Sequence, residues 1–285
     1  MGLRAINNPK SSFEDPYAST GLEAVAAPPS TQGSKDCMPI YWTNATGTSI
    51  RDGGTKFWND ANASNLKVAV PYNGTNGGTT FSDVHANVPG ASGSNHTLTR
   101  VGNSQTSTTT SKFYGSSGLF DGSGDYLTCA ANTDWSLDGD FTIEGWMNID
   151  SGQKGIICSV GDAHSTTGTD GFEFYAAGDN DFRVYGNATG GGSSVYWFGT
   201  GNGTFADATW HHFALVRASN VAKAYINGTD IGKTYTTNTT YNGQLTLAAE
   251  YYDGGYDGHD GYLQDFRLYK GVAKYTSNFT IFPGT

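Results

Sequence analysis

From Leu66 onward the hydrophobic positions fall in short runs that alternate with polar ones at a period of two, and turn-forming residues separate the runs. In 140–147, Phe141, Ile143 and Gly145 alternate with Thr142, Glu144 and Trp146. In 210–217, His211, Phe213, Leu215 and Arg217 share one side of an extended chain, and His212, Ala214 and Val216 share the other. Further runs over 66–72, 96–101, 120–129, 155–160, 171–176, 182–185, 194–198, 222–226, 245–249 and 261–269 bring the expectation to roughly a dozen short strands. Asn227-Gly228 predicts a tight hairpin. One helical turn is expected near 272–275, and no longer helix. Short strands joined by many turns predict an all-β protein, two antiparallel sheets packed as a sandwich.

The leading segment does not share this pattern. Residues 1–36 carry prolines, small polar residues and isolated anchors, Phe13, Tyr17 and Leu22. Such a segment cannot bury a core of its own. It reads as an extended N-terminal arm, either a tail or a strap that orders on a partner. Residues 37–65 read as a short connecting β segment, and 66–285 as the sandwich domain.

Composition narrows the partners. Sixteen Lys and Arg stand against 26 Asp and Glu, a net charge of −10. An acidic surface attracts neither nucleic acid nor anionic lipid. No apolar run is long enough for a membrane helix, and residues 1–10 show no apolar signal core. Three cysteines, Cys37, Cys129 and Cys158, are too few for a disulfide framework. Cys129 and Cys158 read as small core residues, with one bridge between them as the other reading.

The ordered motifs carry a family likeness. The stretches 66–83, 111–118, Phe120-Asp121-Gly122, Trp210-His211-His212, 261–267 and 270–279 together resemble the laminin-G-like, concanavalin-A-like jelly-roll superfamily. The variety they resemble is that of virion proteins of bacteriophage, marine phage especially. The resemblance implies a lectin-like jelly-roll sandwich that binds rather than catalyses. It also implies a virion structural protein, a capsid decoration, cement or tail-fibre component, exposed on the particle surface and anchored by its arm. Its partners would be other virion proteins and host-surface glycans, and trimers suit such fibres. A free carbohydrate-binding or adhesion module is the alternative, and a glycoside hydrolase a further one.

Candidate chemistry is sparse. Glucanases of this fold carry closely spaced carboxylates on one strand, and no such string occurs: Glu144 has Trp146 two positions on. Neighbouring His211 and His212 face opposite ways on a strand, so one is expected in the core and one at the surface. Calcium wants several oxygens from carboxylates and loop carbonyls; Asp125, Asp253, Asp257 and Asp260 lie among glycines and are the candidate ligands. Sugar rings stack on aromatic faces flanked by hydrogen-bonding groups, and Tyr251, Tyr252, Tyr256 and Trp197 are the candidates for glycan or partner contact.

Overall fold

The computed structural model describes residues 41–42, 56–57, 60–150, 152–164, 171–187, 194–199, 201, 205–252 and 255–281. The arm anchors Phe13, Tyr17 and Leu22, and Asp253, lie outside the described residues. Tyr41–Trp42 pairs antiparallel with Lys56–Phe57.

Two antiparallel sheets face each other across one apolar layer. The first has seven strands in the order Ser194–Gly199, Phe182–Asn187, Phe172–Ala176, Gly155–Val160, Leu245–Leu247, Tyr126–Cys129 and Thr99–Val101. The second has nine. Its main path runs Thr229–Asp230, Val221–Ile226, His211–Ala218, Phe141–Ile149, Asp260–Lys270, Ser117–Asp121 and Gln105–Ser107. Tyr235–Thr236 and Leu66–Val70 join at its flanks. Between the sheets pack Phe141, Ile143, Phe172, Phe174, Phe213, Leu215, Leu263, Phe266 and their neighbours. The run 120–129 divides at Gly122-Ser123-Gly124, so that its two halves enter different sheets. Asn227 and Gly228 both take positive φ, 50° and 77°, and close the expected hairpin with Ile226 opposite Thr229. Cys129 and Cys158 are free thiols in the core.

The central strand Asp260–Lys270 contains a bulge. Asp265 sits at φ 58°, and the register against Phe141–Ile149 shifts between Gln264 and Arg267. Leu263 and Phe266 therefore both face the core, three positions apart, and the residues between them turn outward. The first part of this strand pairs with Ser117–Asp121, the last part with Leu66–Val70.

The stretch at 272–275 is not helical. It crosses the outer face of the nine-stranded sheet, where Thr142 Oγ donates to the Val272 carbonyl and accepts from the Lys274 N–H. These bonds take the place of helical ones. Beyond it, Tyr275 and Phe279 stack with centroids 3.6 Å apart and cover Tyr225, Ala214 and Val216. The nine-stranded sheet is thus buried on both faces here. That is why the expected split of His211 and His212 fails: both are buried, His211 toward the Ala206 carbonyl and His212 beneath Phe279 and beside Trp146.

Glu144 lies under the same cover and is fully buried. Its Oε1 meets Lys274 Nζ at 2.7 Å, and its Oε2 accepts from the Tyr275 hydroxyl at 2.6 Å. Burial works to raise its pKa, but the charges of Arg267 and Lys274 and the neighbouring His212 overcome it and hold the carboxyl at about 2. Burial pushes His212 down to about 3 and keeps the ring neutral. Glu144 therefore holds the covering segment in place, closed off from any substrate.

Candidate functional site

The outer face of the seven-stranded sheet is buried at its centre, at Ser159, Glu173, Tyr175 and Thr246, and reaches solvent at its Tyr196 edge. One line of paired residues crosses the whole sheet: Tyr196, Tyr185, Glu173, Ser159, Thr246, Thr128 and Thr99. The row follows from the period of two, because Phe172 and Phe174 point inward and send Glu173 and Tyr175 out. Aromatic rings occupy one end. Tyr175 and Tyr185 stack with centroids 6.1 Å apart, and Tyr185 meets Tyr196 at 4.9 Å. Tyr196 is 46% exposed, a large side chain left to solvent where its neighbours are covered.

Acids stand beside the rings. The carboxyl of Glu173 faces His164 Nε2 at 3.0 Å, and one oxygen of Glu250 lies within 4.8 Å of it. Glu250 arrives from a separate hairpin, Ala249–Tyr252 with Gly255–Gly258, that leaves the sheet at Ala248. Ala248 takes the left-handed conformation, φ 66°, which ends the Leu245–Leu247 strand and swings the hairpin over Gly155–Val160. Burial, and then the neighbouring Glu173, push the Glu250 carboxyl up to about 8; burial raises Glu173 as well. Glu173 therefore disfavours ionisation of Glu250. The pair faces Lys154, whose Nζ lies 2.8 Å from Glu250 and 2.7 Å from Asp257, and 5.0 Å from the centre of the Tyr175 ring. Arg183 completes the edge, bound to Asp181 and Asp179 at 2.7 Å each. Tyr185 and the exposed Tyr196, with Lys154 and Arg183 at the edge, offer the faces and hydrogen-bonding groups that a sugar needs.

The residues expected from the sequence fare unevenly. Tyr251 and Tyr256 are cross-strand partners on the hairpin that delivers Glu250, and Tyr252 follows on the same strand. Of these three only the backbone is described. Trp197 is corrected: it is buried in the core, stacked on Tyr235 at 5.2 Å and on Phe172 at 6.1 Å, so it offers a sugar no free face. Among the described residues, the candidate calcium ligands Asp125, Asp257 and Asp260 form no common metal group. The carboxylate of Asp125 accepts from the backbone N–H groups of Asn103 and Asp121, and Asp260 stands opposite Asp121. Asp257 turns to Lys154 instead. Glu173, Glu250 and Tyr185 are not among the residues expected from the sequence, whereas Tyr196 belongs to the candidate run Tyr196-Trp197-Phe198. The alternation Phe172-Glu173-Phe174-Tyr175 was the available signal, an acid and an aromatic sent to one face.

No curated protein sequence matches the chain. Among solved structures, domain 4 of AbnA, a GH43 extracellular arabinanase from Geobacillus stearothermophilus in complex with arabinotriose, is similar at TM-score 0.53 and 14% identity, covering 73% of this chain and 93% of that one. The binding domain of botulinum neurotoxin serotype C1 is similar at TM-score 0.51 and 13% identity, covering 74% of this chain and 50% of that one. At such identities the likeness is one of fold. A laminin-G-like family profile, described as the concanavalin A-like lectin/glucanases superfamily, matches residues 121–274. That span holds the Tyr196 edge and most of both sheets, more than half of the chain, and places the protein in the concanavalin A-like lectin/glucanases superfamily.

Proposed function

We propose that the protein binds glycans at the Tyr196 edge of its seven-stranded sheet and does not cleave them. The observation that carries this reading is the pair of rings Tyr185 and Tyr196, 4.9 Å apart with Tyr196 exposed, backed by the buried Tyr175 and flanked by Arg183. The arabinotriose complex of a similarly folded domain supports the class of ligand. A retaining glycosidase keeps its carboxyls about 5 Å apart so that the sugar can sit between them. Here Glu173 and Glu250 are both buried, 2% and 3% exposed, which favours binding at the tyrosine edge over hydrolysis at the acids. Hydrolysis is the second reading, because a protonated carboxyl beside an ionised one is the pairing that glycoside cleavage uses. Tyr196→Ala removes the exposed ring of the pair and leaves the core intact. On a glycan array followed by calorimetry, it should weaken binding roughly 5- to 10-fold, about 1–1.4 kcal/mol. Unchanged affinity would sink the assignment of this edge. Release of reducing sugar by the wild type, lost in Glu173→Gln, would move the protein to the second reading.

The finer reading is a virion protein that displays this domain on a phage particle. Residues 1–36 would anchor it through Phe13, Tyr17 and Leu22. The polar, proline-punctuated composition of that stretch supports an arm that orders on a neighbour. Mass spectrometry of purified particles tests this, and absence from them would remove it.

A further inference from the structure

A second cluster lies away from the glycan edge, where the loop before Thr99–Val101 meets the turn Thr133–Trp135. Asp83 is buried and fully engaged. Its Oδ1 accepts from the Ala69 and His85 N–H groups, and its Oδ2 accepts from the His96 N–H. The same Oδ2 lies 2.8 Å from His85 Nδ1. An ionised carboxylate only accepts, so His85 Nδ1 carries the hydrogen, and in the neutral ring Nε2 keeps its lone pair. That Nε2 is fully buried and has no hydrogen-bond partner. The space beside it is kept by Gly93, at φ 103°, where a Cβ would stand 3.5 Å from Nε2. The His96 ring lies 5.2 Å from that of His85 and nearly parallel, at 17°. His96 Nε2 is buried too, and stands 3.1 Å from Asp134 Oδ2 but out of line for a hydrogen bond. One donor atom each of Asp83, His85 and His96 lies within 4.8 Å of the others.

From this geometry we infer that the cluster is a site for a zinc-class divalent cation, with the unpartnered His85 Nε2 and His96 Nε2 as its ligands and Asp134 Oδ2, 3.1 Å from His96 Nε2, as the carboxylate that would close on it. Three observations converge. A carboxylate fixing one nitrogen of a histidine whose other nitrogen is free is the outer-shell arrangement of histidine metal sites. Two donors that stand about 3.1 Å apart without hydrogen bonding match two ligands of one tetrahedral ion, which are about 3.3 Å apart for bonds of about 2.0–2.1 Å. Two imidazoles and one carboxylate suit a borderline cation better than calcium, which takes oxygens alone. Asp134, about a third exposed, opens the fourth position to water. The ion would tie the 83–96 loop to the Thr133–Trp135 turn.

The test is titration of the full chain with ZnCl2, by calorimetry and by metal analysis after desalting. Cobalt absorption would report the ligand field. One saturable equivalent per chain is expected, with a raised Tm. His96→Ala and Asp134→Asn should each lower affinity by about 10- to 100-fold or more, the range for loss of an outer-shell partner alone. His164→Ala, in the separate Glu173–Glu250 cluster, should leave it unchanged. Near-UV dichroism checks that each variant is folded; should His96→Ala fail, Asp134→Asn at its partly exposed turn decides. No saturable uptake by the wild type, uptake unaffected by these two substitutions, or uptake lost in His164→Ala would overturn the site.

Discussion

At the scale of single residues, the charge of Glu144 shows how much context decides. A carboxylate with no solvent beside it is tolerable only because Lys274, Arg267 and Tyr275 surround it. Lys274→Met should therefore destabilise the protein by about 3 kcal/mol in chemical denaturation, since it leaves that charge under-compensated. The half-exposed pair Lys223–Asp230, 2.8 Å long, provides the contrast: Lys223→Ala should cost less than about 1 kcal/mol. Little of this was legible along the chain. Glu144 and Lys274 are far apart in sequence, and the interval carries no sign that 272–281 will fold back over the sheet. The burial of Trp197 was equally hidden, because aromatic runs such as Tyr196-Trp197-Phe198 supply both faces of a strand.

At the scale of elements, the strands were readable wherever one face is core and the other is not. The hairpin at Asn227-Gly228 and the runs at 141–149 and 211–218 follow from local pattern and turn chemistry. The bulge at Asp265 was not readable, since no glycine marks it. Its imprint falls on the neighbouring strand: a Cβ at Gly145 would stand 2.8 Å from the Phe213 ring and 3.2 Å from the Asp265 carbonyl oxygen. Gly145→Ala should thus cost roughly 1–3 kcal/mol, read as a lowered denaturation midpoint. The acid pair was also out of reach, because Glu173 and Glu250 meet only through strand order and the turn at Ala248. Its raised pKa has a definite consequence. The folded state keeps a proton on Glu250 up to about pH 8, whereas the ordinary value is 4.5. Folded molecules then bind more protons than unfolded ones between these values, so stability falls as pH rises through that window. Glu250→Gln should remove this slope. The stability of the wild type relative to the variant should drop by on the order of 2 kcal/mol from pH 5 to pH 8. His212 slopes the other way, its stability contribution being lost as pH falls below the ordinary 6.5, but it is common to both proteins and cancels.

At the scale of the whole molecule, the two sheets have unlike fates. The nine-stranded sheet is covered outside by 272–281 and by Tyr114, Val88 and their neighbours. The seven-stranded one leaves Tyr196 exposed at its edge. The sandwich itself was legible in the sequence from alternation, but not which part would stay bare, because coverage is set by segments that look like ordinary loops. The consequence is a directional molecule with one edge to present. Each edge offers only a few rings, so a lone copy would grip weakly. Copies held side by side with these edges pointing the same way would add their grips and leave none hidden, so that avidity, rather than any single contact, would set the hold on a sugar-coated surface.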